Sequence, residues 1–168
     1  MNFLGLLVEK GRLSAKNRAD VEAELAQKHS LADALSAQGV SLADALAEVG
    51  AEYSLPTRIL GDPPASEEVF AYIPIESARH YEFVPLNKTD GVLEIGITDP
   101  DNIEALDALQ FISGKIGMPY KIFLITKQDF ERVMDAYQNL SGEVGRALSE
   151  YDTIKKIPTS GGQPSSVS

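Results

Sequence analysis

Cysteine is absent from the 168 residues, which excludes disulfide scaffolds, thiol catalysis and cysteine-based metal sites, and fits a reducing compartment. No stretch approaches the roughly 20 apolar residues needed to cross a bilayer. The first apolar run, Phe3 to Val8, is interrupted at Glu9 and has no basic n-region, so it reads as a helix rather than a signal peptide. Positive charge is scarce: 15 Lys and Arg face 25 Asp and Glu, for a formal charge of −10. Nucleic acid is disfavoured as a partner, because its phosphates need Lys and Arg to displace counterions. Broad contact with anionic lipid is disfavoured on the same ground. The plain reading of the charge is a solvated surface that keeps the chain soluble.

Catalytic motifs are missing too. Gly114-Lys115 is the one Gly-Lys pair, but Ile116 stands where a phosphate-binding loop needs Ser or Thr. Neither G-x-G-x-x-G nor G-x-S-x-G occurs. The two histidines, His29 and His80, lie far apart without companions at metal-ligand spacing. Asp99, Asp101 and Glu104 form an acidic cluster that suits either a hard cation or, more simply, helix capping and dipole compensation. No catalytic or metal-binding residue is assigned, and no enzymatic activity is expected of the chain by itself.

What is present is a set of local folding signals. Phe3, Leu4, Leu7 and Val8 recur at helical spacing before Gly11. Ser14 suits the N-cap of a second helix from about Ala15 to Lys28, with Val21 and Leu25 buried. Ser30-Leu31-Ala32-Asp33-Ala34-Leu35 returns as Ser41-Leu42-Ala43-Asp44-Ala45-Leu46. Each copy begins like a capping box, with Asp three residues after Ser, so two short helices in a small bundle are expected. The turn cluster Gly61-Asp62-Pro63-Pro64 marks a boundary.

Beyond it the pattern changes. Ser66 to Tyr72 reads as a short helix capped by Ser66, and Ile75 to His80 as another turn or two. Phe83–Leu86 and Val92–Thr98 read as strands joined by the hairpin signal Asp90-Gly91. Pro85 places the first of them at an edge or a strand end. Asp99 is expected to cap a helix with Pro100 in its first position, burying Ile103, Leu106, Leu109 and Ile112. Tyr120–Ile125 then follows a helical crossover and is expected to run parallel to a neighbour. Phe130, Val133, Met134 and Tyr137 form an i, i+3, i+4, i+7 stripe, which reads as core. The fold class is therefore α+β: a small N-terminal helical subdomain followed by a compact α/β domain with a three-stranded mixed sheet and packed helices. Expected segments are a helical module over 1–60, an α/β domain over 65–139, an amphipathic connecting helix over 140–152 and a flexible linker over 153–168. A chain ending in such a linker reads as part of a longer protein.

The stretch from Ile73 to Tyr137 resembles the N-terminal domain of the type II secretion and type IV pilus assembly ATPases, the secretion "E" family. The resemblance rests on Val84-Pro85-Leu86, Asp90-Gly91-Val92-Leu93-Glu94-Ile95, Asp99-Pro100 and Ala105-Leu106-Asp107-Ala108-Leu109-Gln110-Phe111, in that order. Glu76–Tyr81 and Leu140–Gly145 look most like pilus-assembly ATPases of candidate-phylum bacteria. Phe3-Leu4…Leu7-Val8-Glu9-Lys10-Gly11 is similar to the helical module that precedes this domain. The resemblance implies a cytoplasmic protein, peripheral to the inner membrane through its partners, and a hexameric parent. ATP and Mg would belong to an ATPase core absent from this chain, which itself needs no cofactor. The implied partners are inner-membrane platform or membrane-associated cytoplasmic assembly proteins and the chain's own ATPase core. Some family members bind cyclic di-GMP through Arg-Leu-Gly…Gln motifs. The matching positions are Leu4, Gly5, Leu13, Leu35 and Gln38, with Phe3 where the motif has Arg; packing of the bundle is the alternative role for these residues.

Overall fold

The computed structural model describes residues 1–140. The expected linker 153–168, and the connecting helix apart from Leu140, lie outside the described residues. Four short helices come first: α1 (Phe3–Glu9), α2 (Ala15–Ala26), α3 (Leu31–Ser36) and α4 (Leu42–Glu52). The serine caps form as expected, with Ser14, Ser30 and Ser41 accepting from the N–H groups of Asn17, Asp33 and Asp44. None of these helices is long enough to persist in water alone. A common core holds them, with Leu7, Val21, Ala34, Leu35 and Val49 shut off from solvent. Leu124, the last residue of the third strand, belongs to the same cluster, so part of the bundle core is supplied by the sheet.

The chain leaves α4 through a tight turn that needs glycine. A Cβ on Gly50 would lie 2.8 Å from the Leu55 carbonyl oxygen and closer still to Thr57 Cγ2. The turn brings Thr57 into a parallel bridge with Leu124. Leu124 N–H donates to the Pro56 carbonyl (2.9 Å), and Arg58 N–H donates to the Leu124 carbonyl (3.1 Å). Residues 56–58 thus pair with the third strand at its last residue, Leu124.

The sheet contains β1 (Phe83–Thr89), β2 (Val92–Ile97) and β3 (Tyr120–Leu124) in the order β1-β2-β3. β1 and β2 are antiparallel, and β2 and β3 are parallel through the crossover helix α6 (Ile103–Ile116). The fold is α+β with a mixed three-stranded sheet. Asp90 and Gly91, at φ 52° and 77°, make the hairpin turn, in which both central residues adopt the left-handed conformation. Pro85 sits in the edge strand β1, and the register shifts between Pro85 and Asn87. That irregularity frees the Leu86 carbonyl to accept from Ser66 N–H (3.0 Å). α5 (Ile75–Tyr81) leads into β1, and Ile73, Phe83, Leu93 and Ile95 are almost wholly buried.

Three local expectations change. The segment Glu67–Tyr72 is a 3₁₀ turn, and Ser66 makes no side-chain cap to it. α6 begins at Ile103, not Pro100, because Asn102 is its cap and accepts from Ala105 N–H (3.2 Å). Asp99 instead accepts from Asp101 N–H (2.9 Å), closing an Asx turn one step earlier. Ile103 is 69% exposed rather than buried, since Ala105 and Leu109 are the buried positions of the helix. Residues 127–140 are helical, Thr126 Oγ1 accepts from Asp129 N–H (3.1 Å), and Phe130, Val133, Met134 and Tyr137 are all buried, as their spacing predicts.

Candidate functional site

Two concavities stand out among the described residues. The larger, about 850 Å³, lies between the segment from Ala71 to Tyr81 and one flank of α6. Helical spacing explains it. Leu109 turns toward the sheet, while Glu104, Asp107 and Phe111 point away from it and line the groove. Phe111 is 72% exposed, an unusual position for a large aromatic ring. Lys115 lies one turn beyond Phe111 and is the one cation in the lining.

The smaller concavity, about 480 Å³, is bounded by Phe3, Leu4, Leu25 and Leu31 from the helices and by Ile125 from the end of the sheet. Its rim is polar. Glu82, itself in the left-handed conformation, accepts from the Thr98 hydroxyl (3.0 Å) and from Lys127 Nζ (2.8 Å). Gln128 accepts from Leu31 N–H (2.7 Å) and donates to the His29 carbonyl (3.3 Å), tying the start of α3 to the helix at 127–140. Of the five positions matched to a nucleotide motif, Leu4 lines this cavity. Gly5 packs under the Asn2 side chain, and Leu13 and Leu35 lie in the bundle core. Gln38 is half-buried just beyond α3. Of the five, Leu4 alone borders this cavity.

Asp99 and Asp101 in the acidic turn are occupied by internal bonds. Tyr53 Oη donates to Asp101 Oδ2 (2.8 Å). Desolvation, this hydrogen bond and the nearby carboxylates push the phenol up to about 12. No group of three or more metal-ligating side chains is assembled among the described residues. Asp90, Gly91, Asp99 and Pro100 occupy turns at the two ends of β2.

A second polar clamp was not read from the sequence. Asp129 is buried and accepts from Leu60 N–H (2.9 Å) and from Arg132 Nη1 (3.0 Å). Arg132 also donates to the carbonyls of Leu60 and Gly61 (3.3 and 2.6 Å). Nearby, the Arg58 guanidinium lies 3.9 Å over the Phe123 ring and donates to Glu94 (2.8 Å). Apart from Asp129–Arg132, which are three residues apart, these pairs span 36 to 72 residues, and no local spacing announces them. The exposure of Phe111 had a sequence signal: it lies off the arc shared by Ala105, Leu109 and Ile112.

The MshEN domain family matches residues 53–144, more than half of the chain. The chain belongs to the MshEN domain family. The match begins where the chain leaves α4, and so includes the residues that pair with β3. MshEN domains are N-terminal domains of type II secretion and type IV pilus ATPases. Among solved structures, that of MshE with cdg is similar in fold at 21% identity, with a TM-score of 0.52, covering 82% of this chain and 99% of that one. Two crystal forms of the XpsE N-terminal domain align at 24% and 22% identity, with TM-scores of 0.46 and 0.44, each covering 79% of this chain and 91% of that one. No curated protein matches. Among the described residues, no helix of this MshEN domain is long and apolar enough to cross a membrane.

Proposed function

We propose that this MshEN domain is the partner-binding and regulatory region of a type IV pilus or type II secretion assembly ATPase, coupling the motor to inner-membrane platform components. The observation that carries this reading is the family match over residues 53–144. The chain works at the cytoplasmic side of the membrane, held there by protein partners, while ATP and Mg belong to the motor core of a hexameric parent. The way the helices are joined to the sheet supports a coupling role. The Leu124 side chain lies in the bundle core while its backbone pairs with both β2 and residues 56–58. A load applied to the bundle therefore reaches the sheet through packed side chains and backbone hydrogen bonds. The test is a pull-down of the chain, and of the full ATPase, against purified cytoplasmic portions of the platform and membrane-associated assembly proteins. Binding is expected; no binding by either form refutes the reading.

A second reading, a cyclic di-GMP sensor, draws on the likeness to the structure of MshE with cdg. The chemistry at Leu4 opposes it. Phe3 offers no guanidinium for a phosphate or guanine, and the adjoining cavity carries Glu82 and Asp99 beside a Lys127 already paired with Glu82. Calorimetry decides: absence of heat at high micromolar ligand removes this reading.

A further inference from the structure

We propose that the groove between α5 and α6 is the docking site for a basic amphipathic helix of a partner protein, an inference that rests on the partner-binding role above. Ile103 and Phe111 are the most exposed large apolar side chains among the described residues, at 69% and 72%. They lie two turns apart on α6, with Asp107 midway between them. Phe111 stands at the lip of the groove, with Ile112 and Ile116 deeper along the same helix and Tyr72 and Pro74 across from it. A concavity of about 850 Å³, with apolar side chains between charged ones and an aromatic ring at its lip, has the form of a helix-accepting groove.

Charge selects the occupant. Glu104 and Asp107 line the groove toward the start of α6 and Lys115 lines it near the end, leaving an excess of one negative charge, and neither carboxylate makes an ion pair among the described residues. Helix-dipole compensation accounts for Glu104 in the first turn of α6, but Asp107 lies beyond that turn, where the effect has faded. A second copy of this chain would set the same carboxylates face to face, and an anionic lipid surface would be repelled by them. The complement is a helix with an apolar ridge against Phe111 and Ile112 and with Lys or Arg flanking that ridge opposite Glu104 and Asp107.

The test uses the 168-residue chain and a helical peptide of about 18 residues with a leucine face and a lysine face, together with its leucine/glutamate counterpart. Backbone amide shifts are expected to move within 71–81 and 104–116 on adding the lysine peptide. Phe111→Ala, at an exposed position that leaves the core intact, should weaken binding roughly tenfold or more, as loss of an aromatic anchor does. The double variant Glu104→Lys, Asp107→Lys should reverse the preference toward the glutamate peptide. Failure of the lysine peptide to bind, shifts confined to other surfaces, or unchanged affinity in Phe111→Ala overturns the inference. The two proposals separate in the pull-down: if the wild-type chain and Phe111→Ala capture a platform protein equally, the groove is wrong and the partner-binding role stands. If neither captures one, the role itself fails.

Discussion

Removing the Asp129 carboxylate tests whether the segment at Leu60 and Gly61 is held by one buried acceptor. In the native chain, Asp129 Oδ2 takes the Leu60 N–H and Oδ1 takes Arg132. Asp129→Ala leaves that buried N–H without a partner, and a bond from a charged acceptor contributes about 1.5–3 kcal/mol. The ion pair adds less, because the Arg132 side chain is 42% exposed and such pairs contribute about 0.2–1 kcal/mol. The total loss for Asp129→Ala is then about 2–4 kcal/mol. Asp129→Asn keeps one oxygen as acceptor and loses the charge, so it should cost roughly half as much. Urea unfolding followed by far-UV circular dichroism measures both, with the slope of the transition confirming that the same surface is exposed in each variant. An alanine variant within about 0.5 kcal/mol of the parent, the usual scatter for surface changes, would refute the clamp. Equal losses for alanine and asparagine would show that charge, not the bond to Leu60, is what matters.

Leu35→Ala removes a side chain with no exposed surface from the bundle core and should destabilise the chain by about 2–5 kcal/mol, read as a lower urea midpoint. A loss below about 1 kcal/mol would mean that the bundle core relaxes around the site. The phenols of Tyr53 and Tyr137 are both pushed up to about 12, Tyr53 by desolvation and its bond to Asp101, Tyr137 by burial. The native chain therefore keeps these protons at a pH where the unfolded chain, at about 10, releases them. Their contribution is fully present below pH 10 and is lost as pH rises from about 10 to 12. Urea midpoints measured across that window should fall, and less steeply in Tyr53→Phe and Tyr137→Phe; identical slopes in parent and variants would contradict the assignment.

Much of the local architecture was legible in the sequence. Ser14, Ser30 and Ser41 cap the helices they precede, because a cap needs only a hydroxyl and a nearby N–H. The Asp90-Gly91 turn and the alternation of Val92 to Ile97 specified the hairpin, since backbone conformation and one buried face are short-range properties. The crossover length made β3 parallel. The family resemblance read from the chain agrees with the MshEN match. The start of α6 was placed three residues early, because Asp99 and Asn102 are both competent caps and neighbours decide between them. The same ambiguity put Ile103 inside the helix's buried face.

By itself, then, the sequence determined most of the elements, the parallel direction of the third strand and the class of protein. The tertiary structure decided how the bundle meets the sheet, through Leu124, Thr57 and the glycine at position 50 that permits the turn. It decided that Leu13 and Leu35 are core, that Asp129 serves Leu60, and that Phe111 faces water beside two unpaired carboxylates. These are contacts between residues far apart in the chain, or choices between two faces of one helix. Short-range pattern does not encode either, because they depend on which surfaces the rest of the molecule leaves uncovered.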